Sequence, residues 1–290
     1  MSFVHSLVAN VLVVWESTLS FATIMWCVER LLPREPVSLS SQLRSLKFWF
    51  FAGIGTAFAL TVYGFLHEVL DPRPLFVIPL RQWLSRPGLH WTGYVLAPVL
   101  GIILYDFFGY WLHRAQHKWL WRLHAIHHSI EELSGINSYF HWTEQFFRVA
   151  FISLPAAYVV GIDGIKTVFI VELLVSIQGY YLHSPNRLHL GPVVRRVIAD
   201  NRFHRIHHSV EPKHFDRNFG AGTSIWDQLF GTAYFPEEDE WPETGITDTP
   251  ETSRISDFLW GPFKPLRPSI SVSEPLLAEI GSGRRSPHAQ

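Results

Sequence analysis

The sequence predicts an all-α protein, an integral membrane helical bundle with a histidine-rich helical cap on its cytoplasmic face. Only 17% of its 290 residues are charged, against about 25% in typical globular proteins. Residues 48–66 and 87–105 contain no Asp, Glu, Lys or Arg, and a helix needs about 20 mostly apolar residues to cross a bilayer. Nine of the 16 histidines lie in two windows, five in residues 113–128 and four in residues 204–214. These observations argue against a soluble enzyme.

Four apolar regions are predicted to be embedded in the membrane, namely residues 3–28, 48–66, 91–112 and 149–182. The first lacks a small-residue cleavage site, which favours a retained anchor over a signal peptide. The linker 29–47 carries four Lys and Arg residues, and the positive-inside tendency therefore predicts that this linker is cytoplasmic. Residues 75–84 are suited either to the membrane interface or to an ordered loop.

The region 149–182 is interrupted by Gly161, Asp163 and Gly164, which predicts a tight helical hairpin. A hairpin would return the chain to the face it left, so the histidine windows before and after it can form one site. We therefore divide the chain into anchor helices with an interfacial loop (1–90), a histidine-rich catalytic domain (91–235) and a peripheral tail (236–290). The tail is expected to be loosely ordered after residue 270.

Charge and cysteine content exclude several kinds of site and partner. The formal net charge is −1, and no long basic run suggests a nucleic-acid partner. Cys27 is the single cysteine in the sequence. One cysteine excludes an intrachain disulfide framework and a cysteine-based metal cluster.

The histidines form three motifs, one H-x-x-x-H and two copies of H-x-x-H-H. Residues three and four apart share one face of a helix, so each motif can direct several imidazoles at one point. Imidazole suits iron, zinc, copper or nickel better than magnesium or calcium. A closed structural zinc site uses four ligands, so two metal ions are the simplest interpretation. The eight histidines of these motifs are His113, His117, His124, His127, His128, His204, His207 and His208.

The motifs HRAQH, HAIHH and HRIHH, followed by NFG and WDQLFGT, resemble the fatty acid hydroxylase/sterol desaturase superfamily of membrane di-iron enzymes. The resemblance covers roughly residues 95–235. It implies that the histidines hold two iron ions, which use O2 to attack a C–H bond of a lipid. Matched position by position, it implies ligation by the eight histidines above.

Two further histidines resemble ligands of that family. His183, in LHSPN, is similar to a histidine in H-[SA]-N, and His141, in FHWTE, is similar to one in H-P-x-E. The alternative for His141 is a polar position beside Glu144. His189 lies in a predicted loop and is expected to be solvated or interfacial, and three other histidines have no partners at ligand spacing, namely His67, His90 and His214.

Supporting roles are predicted for three more polar residues. Asp106 lies in an apolar stretch, where an ionisable residue is costly and usually functional. It is expected either to orient a ligand imidazole by accepting its N–H or to pair with Arg114. Asn218 and Asp227, with Gly220 and Trp226, resemble the closing element of the family and are expected to support the site.

The predicted function is an O2-dependent lipid hydroxylase or desaturase, with hydroxylation corresponding to a monooxygenase. A sterol-like lipid, sphingolipid, fatty acyl, carotenoid or ether lipid all remain open as substrate. A metal-dependent membrane hydrolase is an alternative, although the sequence lacks H-E-x-x-H. A membrane metal-binding or transport protein is another, although its ionisable residues should lie deep within the spans.

The chain carries no recognisable haem, flavin or cysteine-cluster motif, so an external electron donor such as a ferredoxin or a cytochrome b5-like protein is expected. A cationic surface near the motifs is predicted to dock an acidic donor or to contact lipid phosphate. This surface comprises Arg114, Lys118, Arg122, Arg202 and Arg205. We expect a multi-pass protein of a bacterial inner membrane or of the endoplasmic reticulum.

Overall fold

The computed structural model describes residues 2–79, 82, 85–88, 90–162, 165–247 and 249–264. Most of these residues are helical, as the sequence predicts. The loosely ordered tail predicted after residue 270 lies outside the described residues, as do Asp163 and Gly164 at the predicted hairpin turn and part of the segment 75–84.

The regular elements are, in chain order, α1 (Phe3–Leu31), α2 (Leu39–Leu70), β1 (Phe76–Ile78), α3 (His90–Trp119), α4 (Trp121–His128), α5 (Glu144–Arg148), a π-helix (Val149–Ser153), α6 (Leu154–Val159), β2 (Val160–Ile162), α7 (Ile165–His183), α8 (Gly191–Val194), α9 (Asn201–His207), a 3₁₀ turn (Pro212–His214), α10 (Ile225–Leu229), α11 (Ile255–Trp260) and a second 3₁₀ turn (Gly261–Phe263). The two strands pair in parallel, with Phe76 opposite Val160.

Within the described part of the chain, α1 and α2 are long and apolar enough to cross a membrane. At 1.5 Å per residue, both exceed the hydrocarbon core of about 30 Å. The two helices pack together through Trp15 and Phe50, whose ring centroids are 4.8 Å apart. Residues 91–112 fall within α3, and 149–182 run from the π-helix to α7. Whether these two regions also cross the membrane stays a prediction.

The segment 144–183 leaves the histidine-rich region and returns to it. At its start, Glu144 Oε2 lies 3.2 Å from His124 Nδ1. At its end, His183 Nε2 lies 3.2 Å from His127 Nε2. His183 Nε2 also lies 3.0 Å from His204 Nε2 of the second histidine window. Both windows therefore meet where the segment returns, as the hairpin hypothesis requires.

A buried cluster beneath the histidines joins α2, α4 and α11. Phe48 of α2 and Phe258 of α11 are both fully buried, and their rings stack with centroids 4.8 Å apart. Ile126 of α4 belongs to the same cluster. The helix that carries three of the motif histidines is thus packed on a candidate membrane helix.

Residues 236–264, apart from position 248, pack against the rest of the protein more closely than a peripheral tail would. Glu251 forms a 2.6 Å ion pair with Arg44 of α2 and accepts a hydrogen bond from the hydroxyl of Tyr139. The hydroxyl of Thr244 donates to the carbonyl of Glu131. The acidic composition of this segment suggests solvation, but its carboxylates and backbone find partners on the domain.

Candidate metal centre

The structure gathers nine histidines into two adjacent groups. In each group, one ring nitrogen per residue lies within 4.8 Å of all the others. The first group consists of His113, His117, His124, His128 and His207. The second group consists of His127, His183, His204 and His208. All eight motif histidines and His183 are therefore brought together.

The two copies of H-x-x-H-H divide their histidines between the groups in opposite ways. In α4, His124 and His128 join the first group and His127 joins the second. In α9 and the residue after it, His204 and His208 join the second group, while His207 joins the first. Residues i and i+4 lie on one face of a helix, and residue i+3 lies beside that face. Each helix can therefore serve both groups.

Four of the rings are oriented by backbone carbonyl oxygens. Because a carbonyl oxygen only accepts, the nearby Nδ1 carries the proton and the Nε2 lone pair points towards the group. The Nδ1–oxygen distances are 2.8 Å from His113 to Phe219, 3.0 Å from His127 to Tyr139, 2.7 Å from His183 to Gly179 and 2.7 Å from His207 to Arg217.

These orientations leave unprotonated nitrogens facing one another. His113 Nε2 lies 3.0 Å from His124 Nε2, and the Nδ1 of His124 donates to the Glu144 carboxylate. Both Nε2 atoms are then acceptors, so no hydrogen bond can form between them. The buried Nε2 of His207 also has no hydrogen-bond partner. A cation would satisfy these lone pairs.

In the second group, two unprotonated nitrogens also face each other. His127 Nε2 and His183 Nε2 lie 3.2 Å apart, and the Nδ1 atoms of both rings face carbonyl oxygens. Nitrogen donors of this kind suit iron and other first-row transition metals. The residues present therefore fit a bound metal ion in each group.

Burial favours the neutral imidazole, which is the form that binds metal, at four of these histidines. Desolvation places the pKa values of His124, His128, His204 and His208 well below their usual range. The neighbouring histidines lower these pKa values further, because a second positive charge would be repelled. The protonated, positively charged form of these four side chains is thus disfavoured.

Asp106 supports the first group through a loop, which differs from both sequence expectations for this residue. Its carboxylate accepts hydrogen bonds from the backbone N–H groups of Ala221, Gly222 and Thr223 and from the Thr223 hydroxyl. That loop begins at Phe219, whose carbonyl orients His113. Asp106 therefore acts on the histidine through the backbone and not by direct contact.

Asp227 and Asn218 fix the same loop. The Asp227 carboxylate accepts from the backbone N–H groups of Phe219 and Gly220, and a Cβ at Gly220 would collide with the carbonyl oxygen of Thr223. Asn218 has a φ of 59°, and its side-chain amide donates to the carbonyls of Phe203 and Tyr234. Both residues therefore support the site, with backbone groups as their partners.

His141 lies outside both groups. Its Nδ1 is 2.7 Å from the Thr143 hydroxyl and its Nε2 is 3.4 Å from the carbonyl oxygen of Leu259. This position corresponds to the alternative interpretation, a polar residue near Glu144.

Glu144 and Gln116 are site residues that the sequence analysis missed. The Glu144 carboxylate accepts from His124 Nδ1 and, at 2.7 Å, from the Gln116 amide. Burial raises the pKa of Glu144 to about 7. Its other oxygen is buried without a hydrogen-bond partner. The sequence feature that could have identified Glu144 is its position a few residues before the apolar region 149–182.

A third cluster, formed by Glu211, His214 and Glu240, already contains a cation. Lys213 Nζ lies 3.3 Å from the Glu211 carboxylate and 2.7 Å from that of Glu240. The lysine neutralises the carboxylates, which agrees with leaving His214 out of the predicted ligands.

The predicted cationic surface is only partly exposed. Arg202 and Arg205 are buried, Arg202 donates to the carbonyls of Glu237 and Glu238, and Arg205 pairs with Glu35. The expectation that these two arginines face a partner was wrong, because the segment after residue 236 covers them. Lys118 and Arg122 are exposed as predicted.

Residues 98–232 match the fatty acid hydroxylase family. The chain is 33% identical over 153 residues to ornithine lipid hydroxylase OlsE of Rhizobium tropici, covering 51% of this chain and 45% of that protein. It is 30% identical over 160 residues to alkylglycerol monooxygenase of Xenopus tropicalis, covering 52% and 32%. Very-long-chain aldehyde decarbonylase GL1-8 of Oryza sativa subsp. indica is 27% identical over 167 residues, covering 57% and 61%. The chain spans less than half the length of the first two relatives, and no solved structure matches it.

We predict that His128→Ala and His208→Ala each release the metal ion of one group and retain the other. Each change removes one nitrogen ligand from one group, and affinity depends on ligand count. Metal analysis of purified protein checks this, with the exposed His189→Ala as the control. Full retention in both variants would contradict the two-group interpretation.

We also predict that Glu144→Ala weakens metal binding in the first group by about 10–100-fold, the usual effect of losing a carboxylate that orients a ligand histidine. Glu144→Gln should lose less, because the amide oxygen still accepts from His124 Nδ1. Cobalt titration of the metal-depleted protein measures both. Equal affinities for the alanine variant and the unchanged protein would contradict this role.

Proposed function

We propose that this chain, whose residues 98–232 match the fatty acid hydroxylase family, is an O2-dependent di-iron oxidoreductase that hydroxylates or desaturates a membrane lipid. The observation that carries the proposal is the pair of buried histidine groups, each with opposed lone pairs, packed against a candidate membrane helix. The proposed ligands are the nine histidines of these groups, without His141.

Iron bound in both groups would supply the redox chemistry that activates O2 towards a C–H bond. The chain itself contributes the orientation and shielding of the ligands. Carbonyl oxygens and the Glu144 carboxylate hold the ring protons on the outer nitrogens, while burial keeps water away from the inner ones. Asp106 and Asp227 keep the Phe219 loop in place.

The names of the relatives support a lipid substrate and an oxygenation reaction. Two of them are a lipid hydroxylase and a monooxygenase of an alkylglycerol, which favours hydroxylation over desaturation. The third acts on a very-long-chain aldehyde by name. We therefore propose a lipid with a long hydrocarbon chain. The hydrolase and metal-transport alternatives find no support among these relatives.

We propose that the histidine groups lie on the cytoplasmic side of a multi-pass protein. The linker between α1 and α2 contacts the histidine-rich region directly, since Arg34 N–H donates to the carbonyl of Pro185 and Glu35 pairs with Arg205 at 2.8 Å. The linker and the site therefore share one side of the membrane. The Lys and Arg residues of this linker favour the cytoplasmic side. A bacterial inner membrane or the endoplasmic reticulum fits this topology.

We propose that an acidic electron donor, a ferredoxin or a cytochrome b5-like protein, docks at the turn between α3 and α4. Lys118 and Arg122 are exposed there, and Trp121 lies between them in sequence. Trp121 is 38% exposed, and its ring centroid is 5.2 Å from those of His117 and His128. The turn thus joins an exposed cationic surface to the first histidine group.

Incubation of the iron-loaded protein with a lipid extract, ¹⁸O₂ and a reduced acidic ferredoxin tests the proposed reaction. We expect one labelled oxygen in a lipid product, or a desaturated product, and its formation should require both O2 and the donor. A donor-independent product whose oxygen comes only from water would instead support the hydrolase.

In the same assay, we expect Lys118→Glu to raise the KM for the ferredoxin several-fold at low salt and less at high salt. A rim charge mainly affects association with a charged partner, and salt screens the effect. Arg73→Glu is the control, because the Arg73 side chain is 92% exposed and lies outside the turn. An equal effect of the two changes would contradict this docking site.

A further inference from the structure

An apolar groove of about 380 Å³ lies between α2, the segment around α5, and α11. Ligand pockets in proteins usually have volumes of about 300–1,000 Å³, so the groove is large enough to hold a ligand. The residues that line it are aromatic, aliphatic or glycine.

One wall of the groove is a single face of α2, formed by Phe51, Ile54, Gly55 and Phe58. The spacing i, i+3, i+4 and i+7 places these residues in one stripe, which extends over roughly 10 Å at 1.5 Å per residue. A Cβ at Gly55 would lie 2.6 Å from the carbonyl oxygen of Trp142. Glycine is therefore required for the close approach that forms the groove.

The opposite wall of the groove belongs to the segment that carries Glu144. It contains Trp142 and Phe146, which flank Glu144 in sequence, and Glu144 contacts His124. The ring centroids of Phe146 and Phe58 lie 5.8 Å apart, so the two walls are in contact at this point. The segment that forms this wall of the groove therefore also contacts a proposed metal ligand, through Glu144.

The open side of the groove continues into the surface that a bilayer would cover. Ile54 is 41% exposed and Phe58 is 40% exposed, and both belong to a candidate membrane span. These residues lie roughly 22–29 Å along α2 from its first residue, at 1.5 Å per residue. A hydrocarbon chain could enter from the bilayer without crossing a polar surface.

We propose that this groove holds the alkyl or acyl chain of the lipid substrate beside the first histidine group. The inference rests on the proposed function, because it identifies the part of the substrate that this chain recognises. A slot lined by aromatic and aliphatic side chains suits a linear hydrocarbon.

Photolabelling tests occupancy without relying on turnover. Full-length protein is placed in vesicles of phosphatidylethanolamine and phosphatidylglycerol that contain a trace of a phospholipid with a diazirine on one acyl chain. We expect labelled peptides that contain Trp142 and Phe146. Ile54→Trp should fill the groove and reduce this labelling at least fivefold. Leu60→Trp is the matched control, because Leu60 is 43% exposed on the same helix and lies outside the lining.

Labelling at Trp142 and Phe146 that is unchanged by Ile54→Trp would show bilayer contact only and overturn the proposal. Unlabelled peptides in the unchanged protein would overturn it too, and would point to another occupant such as residues 265–290 of the chain.

Chain-length selectivity separates this inference from the proposed function. Phe58→Ala should lengthen the groove and shift kcat/KM towards longer chains by several-fold, whereas Leu60→Ala should not. If Ile54→Trp oxygenates lipids as the unchanged protein does, the groove proposal fails while the function stands. If no lipid is oxygenated but labelling depends on Ile54 as expected, the groove stands as a lipid site and the proposed function fails.

Discussion

An imidazole ring can direct a lone pair at a metal ion only when its other nitrogen holds the proton and donates it elsewhere. Much of the structure around the two groups meets this requirement. The Phe219 carbonyl accepts from His113, and the loop that carries Phe219 is in turn held by Asp106 and Asp227. The apparently scattered polar residues of the sequence thus serve one constraint, the placement of ring protons on the outside of each group.

The clustering of histidines within each motif could be predicted from the sequence, because residues i, i+3 and i+4 share one face of a helix. The division of the histidines into two groups could not be predicted, since it depends on how α4 and α9 face each other. His127 and His207 each belong to a different group from the other two histidines of their own motif. The hydrogen-bond partners of Asp106 could not be predicted from the sequence either. Its hydrogen bonds cross to residues 221–223, and sequence proximity favoured Arg114 or a nearby histidine instead.

The packing of the segment after residue 236 could not be predicted from its composition, for a related reason. Its acidic and proline-rich character indicates solvation, yet it covers Arg202 and Arg205 and pairs Glu251 with Arg44. The partner of Glu251 lies more than 200 residues away in the sequence, and no local pattern identifies it. The same contacts remove two arginines from the surface and leave the turn between α3 and α4 as the exposed cationic face near the first group.

Helix α2 connects a candidate membrane span to the histidine-rich region, because successive parts of the helix make different contacts. Near its start, Ser41 and Ser45 hydrogen-bond Asn137 in the histidine-rich region. One turn further, Phe48 enters the core beneath α4. Beyond that, the stripe around Gly55 approaches Trp142 and forms the apolar groove. If α2 spans the bilayer as proposed, a rigid helix that is anchored at one end and apolar further along would fix the distance between the bilayer and the first group. A bound chain would then meet the site at a position set by the helix and not by a flexible loop.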